Sequence, residues 1–119
     1  MSKVTIYHNP RCTKSRQTLA LLEEKGCDVE IIEYLKTPPS VTKLDELLKA
    51  MGKEPLDVIR TKEAAFKELG LAKSDQRPRK EWIQLMVRNP VLIERPIVVK
   101  GQKAALGRPP ENVLKILSN

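Results

Sequence analysis

Nothing in the 119 residues forms an apolar run long enough to cross a bilayer. The N-terminus enters strand-like sequence with no charged-then-apolar leader, so the expectation is a cytoplasmic protein without membrane contact. Aromatic residues are scarce: Tyr7, Tyr34, Phe66 and Trp82 make up 3% of the chain. They are too few to interleave with cations as a base-stacking surface, which argues against nucleic acid as a partner despite a formal charge of +7. The basic residues are spread along the chain among glutamates, so most of that charge reads as solvated surface that draws small anions. Only two cysteines occur, Cys12 and Cys27, at opposite ends of one predicted helix. About 20 Å of helix separates them, too far for a disulfide, as suits a reducing compartment. No internal repeat or low-complexity tract is present.

What remains is enough for one core and too little for two, so residues 1–119 are expected to form a single domain. Val4 and Ile6 mark a strand over Lys3–Tyr7, and Leu19, Leu21 and Leu22 recur at helical spacing between Thr13 and Lys25, with Gly26 as the stop. The β-branched stretch Asp28–Tyr34 reads as a second strand, which completes a parallel βαβ unit. After Thr37-Pro38-Pro39, Ser40 is placed to cap a helix carrying Val41, Leu44, Leu47 and Leu48 as far as Gly52. From Pro55 to Arg88 the pattern is helical in pieces, Leu56–Arg60, Lys62–Leu69 and Arg79–Val87, so a helical insertion is expected over about 40–90. Strand character returns in Arg95-Pro96-Ile97-Val98-Val99-Lys100. Gly101-Gln102 then makes a two-residue type II′ turn into Lys103–Leu106, and Pro109-Pro110 opens a last helix bearing Val113, Leu114, Ile116 and Leu117.

The stretch His8-Asn9-Pro10-Arg11-Cys12-Thr13-Lys14-Ser15-Arg16 lies where the first strand gives way to the first helix. Cys12 thus sits at a helix N-terminus, where unpaired N–H groups and the positive end of the macrodipole favour a thiolate over a thiol. Arg11, Lys14, Arg16 and His8 add cationic or ionisable groups nearby. A cysteine serving only as a small core residue wants apolar neighbours, and this one lies in a proline-bent basic turn. Cys27, flanked by Gly26 and Asp28, reads as a packing thiol. Arg60, at the end of a predicted helical piece, has a simple structural account as a cation at a C-terminal dipole.

The order β-α-β, helical insertion, β-β-α is that of a thioredoxin-like α/β fold with a four-stranded mixed sheet. With it, the His8–Ser15 loop, Arg60, Arg95-Pro96-Ile97-Val98-Val99 and Gly107-Arg108-Pro109-Pro110 resemble the arsenate reductase family that couples to glutathione and glutaredoxin. The resemblance covers essentially the whole chain. It implies that Cys12 is the nucleophile, that Arg60, Arg95 and Arg108 hold arsenate, and that His8 helps keep the thiol ionised. His8 also has a structural reading, as a strand-end residue bonding the backbone. The chemistry agrees with the arginine assignment, because guanidinium forks match a tetrahedral dianion and cancel charge that would repel an incoming thiolate. The resemblance further implies a cis peptide at Arg95-Pro96.

Ser15 makes the loop C-x-x-S, so no resolving thiol is at hand, and Ser15 either bonds the Cys12 sulfur or caps the helix turn. Reduction is then expected from outside, with glutathione as co-substrate and glutaredoxin as partner. Thr13 and Lys14 stand where members of the family usually carry Gly-Thr, and Lys14 either compensates with charge or marks a different substrate. The expected protein is a monomer with no bound cofactor and no metal. Two other readings share the fold: an Spx-type regulator that binds RNA polymerase, which typically needs C-x-x-C, and a glutathione-dependent thiol transferase with another substrate.

Overall fold

Val4 and Ile6 are fully buried and alternate with the half-buried Thr5 along β1 (Lys3–His8), the strand from which the sheet is built. A computed structural model describes residues 3–117. Its described residues cluster in two units, one running through Thr37 and resuming at Arg95, the other Pro38–Glu94.

In the first unit, α1 (Thr13–Glu24) crosses over to β2 (Asp28–Glu33), which pairs with β1 in parallel from Lys3↔Asp28 to His8↔Glu33. β3 (Ile97–Lys100) lies antiparallel on the other side of β1, with Tyr7 opposite Ile97, and β4 (Lys103–Leu106) pairs antiparallel with β3. The order is β2-β1-β3-β4, the mixed sheet expected of a thioredoxin-like fold, with β2 and β4 at its edges. Gly101 has φ +61° while Gln102 stays at negative φ, the combination that a type II′ hairpin requires. Val4, Ile6 and Val98 project from one face of the sheet into a core with Leu22 of α1 and with Val113 and Ile116. Cys27 packs against this core, in keeping with its reading as a packing thiol. The C-terminal segment begins as a 3-10 turn, Pro110–Val113, and becomes α-helical only in α6 (Leu114–Leu117).

The second unit is helical. Ser40 caps α2 (Val41–Met51), its Oγ accepting the Lys43 N–H at 3.0 Å, and buries Leu44, Leu47 and Leu48. Those residues pack toward Trp82, Ile83 and Met86 of α5 (Arg79–Arg88), and Arg79 Nε donates to Asp45 Oδ1 at 2.8 Å between the two helices. α3 (Pro55–Val58) and α4 (Ala64–Glu68) are shorter than periodicity predicts. For α3 the reason is a pairing remote in sequence: Ile59 turns extended and forms an antiparallel bridge with Ile93, and the Arg60 N–H donates to Leu92 O at 2.7 Å. Arg60 is therefore not at a helix C-terminus, and its account as a dipole partner is withdrawn. Pro90–Leu92 adds a 3-10 turn that the apolar pattern does not announce.

The Ser40 cap supplies a direct check of this unit. Ser40→Ala should lower unfolding free energy by about 1 kcal/mol, read as a reduced urea midpoint at unchanged m-value.

Candidate active site

β1 delivers His8 and Asn9, both buried, to the start of a tight turn. There the Asn9 side chain accepts the Arg11 N–H at 3.0 Å and its carbonyl accepts the Cys12 N–H at 3.0 Å. The Asn9 N–H donates in turn to Ser15 Oγ at 3.0 Å. Asn9 thus closes the loop at three points. Sequence reasoning gave it no role, although Asn before Pro is a turn signal in its own right.

Cys12 is the N-cap of α1, in extended backbone (φ −94°, ψ 124°). Its side chain closes no cap bond of ordinary geometry, yet the N–H groups of Ser15 and Lys14 face the sulfur closely enough to stabilise its charge. Burial pushes the thiol up. The Ser15 N–H, the Arg95 side chain as donor and as cation, and the Lys14 N–H together outweigh burial, and the thiol lies below its ordinary value. The charge that matters comes from Arg95, some eighty residues away. Arg11, Lys14 and Arg16, the local cations, are exposed, and Arg16 Nη1 folds back to Pro10 O at 3.2 Å.

Ser15 is wholly buried and its hydroxyl shares a 2.6 Å hydrogen bond with His8 Nδ1. The Ser15 backbone, not its hydroxyl, is what serves the sulfur. Burial holds the His8 pKa below its usual value, with Glu33 opposing and Arg16 assisting. Burial thus works against the charged form of the ring, and the contact the structure gives it is the bond to Ser15.

Arg95-Pro96 is cis, as the resemblance implies, and so is Arg108-Pro109, which sequence reading missed. Arg108 Nη1 donates to Arg95 O at 3.2 Å, and Arg108 O accepts from Asn112 Nδ2 at 3.1 Å. Gly107 N–H donates to Pro96 O at 2.8 Å, which joins the segment carrying Arg108 to the one carrying Arg95. Cys12, Arg95 and Arg108 thus form one connected set within the first unit. Arg60 belongs to the second unit, where Nε donates to Glu63 Oε2 at 2.9 Å and Nη1 to Glu94 Oε1 at 2.6 Å. Among the described residues no group of three or more His, Cys, Asp or Glu gathers as a metal site, and no helix is long and apolar enough to cross a membrane.

A thiol at the N-cap of the helix after β1, on a mixed sheet of order β2-β1-β3-β4, defines a thioredoxin-like protein. The comparisons narrow the class: the sequence pattern of the ArsC family matches residues 7–116, and the chain belongs to that family. An arsenate reductase of Haemophilus influenzae is 46% identical over 115 residues, 96% of this chain and 98% of that protein. The uncharacterized protein YfgD of Escherichia coli K12 is 51% identical over 97% of each chain. The structure of an arsenate reductase from Vibrio cholerae superposes with a TM-score of 0.91 at 49% identity, covering 98% of each chain.

If Arg95 is the chief cation at the sulfur, Arg95→Gln should move the pH midpoint of Cys12 alkylation upward, toward that of free cysteine, whereas Arg11→Gln leaves it in place. A second outcome follows from His8. Its folded pKa lies below the unfolded value of about 6.5, so the unfolded chain takes up the proton first as pH falls. Its contribution is complete above about pH 6.5 and shrinks as pH drops through the folded pKa. Melting curves should show a loss of stability below that point that is smaller in His8→Asn.

Proposed function

We propose that the chain is an arsenate reductase that draws its electrons from glutathione and glutaredoxin. Arsenate is held by Arg95 and Arg108, and the Cys12 thiolate attacks arsenic. An S–As bond forms as an oxygen ligand leaves as water. Glutathione thiolate then attacks the Cys12 sulfur. The S–As electron pair passes to arsenic, which leaves as arsenite, and a Cys12–glutathione disulfide remains. Glutaredoxin takes the glutathionyl group and returns Cys12 as thiolate.

The observation that carries this reading is the Arg95 guanidinium at the Cys12 sulfur with Arg108 bonded to the Arg95 carbonyl, donors suited to an oxyanion beside a nucleophile. An external reductant is supported by the absence of any near second thiol. Cys27 stands beyond the far end of α1, about 18 Å of helix away, and packs against the core. A groove of about 410 Å³ running from Lys14 and Gln17 to Pro109 and Glu111 offers room for a short peptide thiol beside the loop. His8 acts by holding Ser15, and so the first turn, rather than as a cation.

Purified protein supplied with glutathione, glutaredoxin and a recycling system should consume reducing equivalents only when arsenate is present. Cys12→Ser should reduce this to background while Cys27→Ser leaves it near wild type. Turnover of glutathione mixed disulfides without any oxyanion would point to a thiol transferase instead, and activity surviving in Cys12→Ser would remove the assigned nucleophile.

A further inference from the structure

Thr18, on α1 beyond the reactive turn, reaches with its side chain the stretch of chain bearing Arg108. It is wholly buried, and its hydroxyl does two things: Oγ1 donates to Lys14 O at 2.8 Å, one turn back, and lies 3.4 Å from Gly107 O, a residue eighty-nine positions away. The first contact alone is the familiar back-bond of a helical threonine. The second has no such local explanation.

Gly107 fits it from the other side. A Cβ there would stand 2.6 Å from Thr18 Oγ1 and 2.8 Å from Pro96 Cγ, closer than a Cβ sits without its neighbours shifting, and 3.1 Å from Thr18 Cγ2, a tight contact. Only glycine lets the backbone descend between helix and proline. Its N–H reaches Pro96 O at 2.8 Å, and the next residue, Arg108, donates to Arg95 O at 3.2 Å. Three stretches of chain meet at this point: the first turn of α1, whose Lys14 and Ser15 N–H groups face the sulfur; Arg95-Pro96; and Gly107-Arg108.

We propose that Thr18 is a positioning residue for the anion-binding arginines. Its side chain is the seat on which the Gly107 backbone rests, and the height of that seat sets Arg108 beside Arg95 and both against the helix N-terminus. Thr18 itself touches neither sulfur nor oxyanion. The inference rests on the reading of Arg95 and Arg108 as oxyanion ligands. A valine in its place keeps the shape but puts a methyl where a 2.8 Å hydrogen bond stood, closer to Lys14 O than carbon can sit, so the seat must shift. A serine keeps the hydroxyl and loses only the methyl.

The test is protection of Cys12 from alkylation by added arsenate, followed by mass spectrometry of the Cys12 peptide in the full-length folded protein. Thr18→Val should weaken protection by about three- to tenfold, the worth of one buried hydrogen bond, and Thr18→Ser should stay within about twofold of wild type. Gly107→Ala should weaken it as much as Thr18→Val or more, and serves in its place if that variant does not fold. A merely structural Thr18 would lower the melting temperature while leaving arsenate protection of the folded fraction untouched, and that result overturns the proposal. Arsenate protection absent from the wild-type protein overturns the arginine assignment and this inference with it. Protection present in wild type and undiminished in folded Thr18→Val and Gly107→Ala overturns the positioning role alone.

Discussion

A negative sulfur is costly to hold in a half-buried place, and the arrangement around Cys12 depends on meeting that cost with groups of two kinds. One is local: the N–H groups of Lys14 and Ser15, free because no preceding turn uses them. The other is remote: Arg95, brought in by the pairing of β3 with β1. Together they outweigh burial, which pulls the thiol the other way. The sheet order β2-β1-β3-β4 matters to the chemistry because it makes the end of β1 and the start of β3 neighbours.

The reactive turn is held by polar bonds rather than by apolar packing. Asn9 ties both ends of the turn, and His8 and Ser15 are buried with their polar atoms matched to one another. Satisfied bonds of this sort fix one geometry, because any displacement leaves a buried donor or acceptor alone. The Arg60 guanidinium, set against Glu63 and Glu94, shows the same habit in the second unit. A cation with two carboxylate neighbours stays charged and in place.

The strands, α1, α2 with its Ser40 cap, α5 and the Gly101 hairpin were all legible, because each rests on periodicity or on a turn residue acting within a few positions. What failed to show was whatever depends on contact between distant segments. Ile59 looks like the continuation of a helix until Ile93 is there to pair with it. The cations nearest Cys12 in sequence seemed to be its electrostatic partners, yet they are exposed, Arg16 folds back on Pro10 O, and the cation that lowers the thiol is Arg95. Family resemblance supplied Arg95 and Arg108, which spacing alone could not. The lowered pKa of His8 follows from burial, and Asn9 and Gly107 matter through approaches of backbone to backbone or to side chain that no pattern of residue types displays.

β2 borders the sheet, its outer backbone groups unpaired by any described strand, and Ile31 lies open to solvent along it, 48% exposed. Such a margin invites another chain to extend the sheet. Asp28, Glu30 and Glu33 surround the isoleucine, so a second β2 laid alongside would crowd carboxylate against carboxylate. Acidic residues at this border work against edge-to-edge pairing there, in a protein whose overall charge is positive.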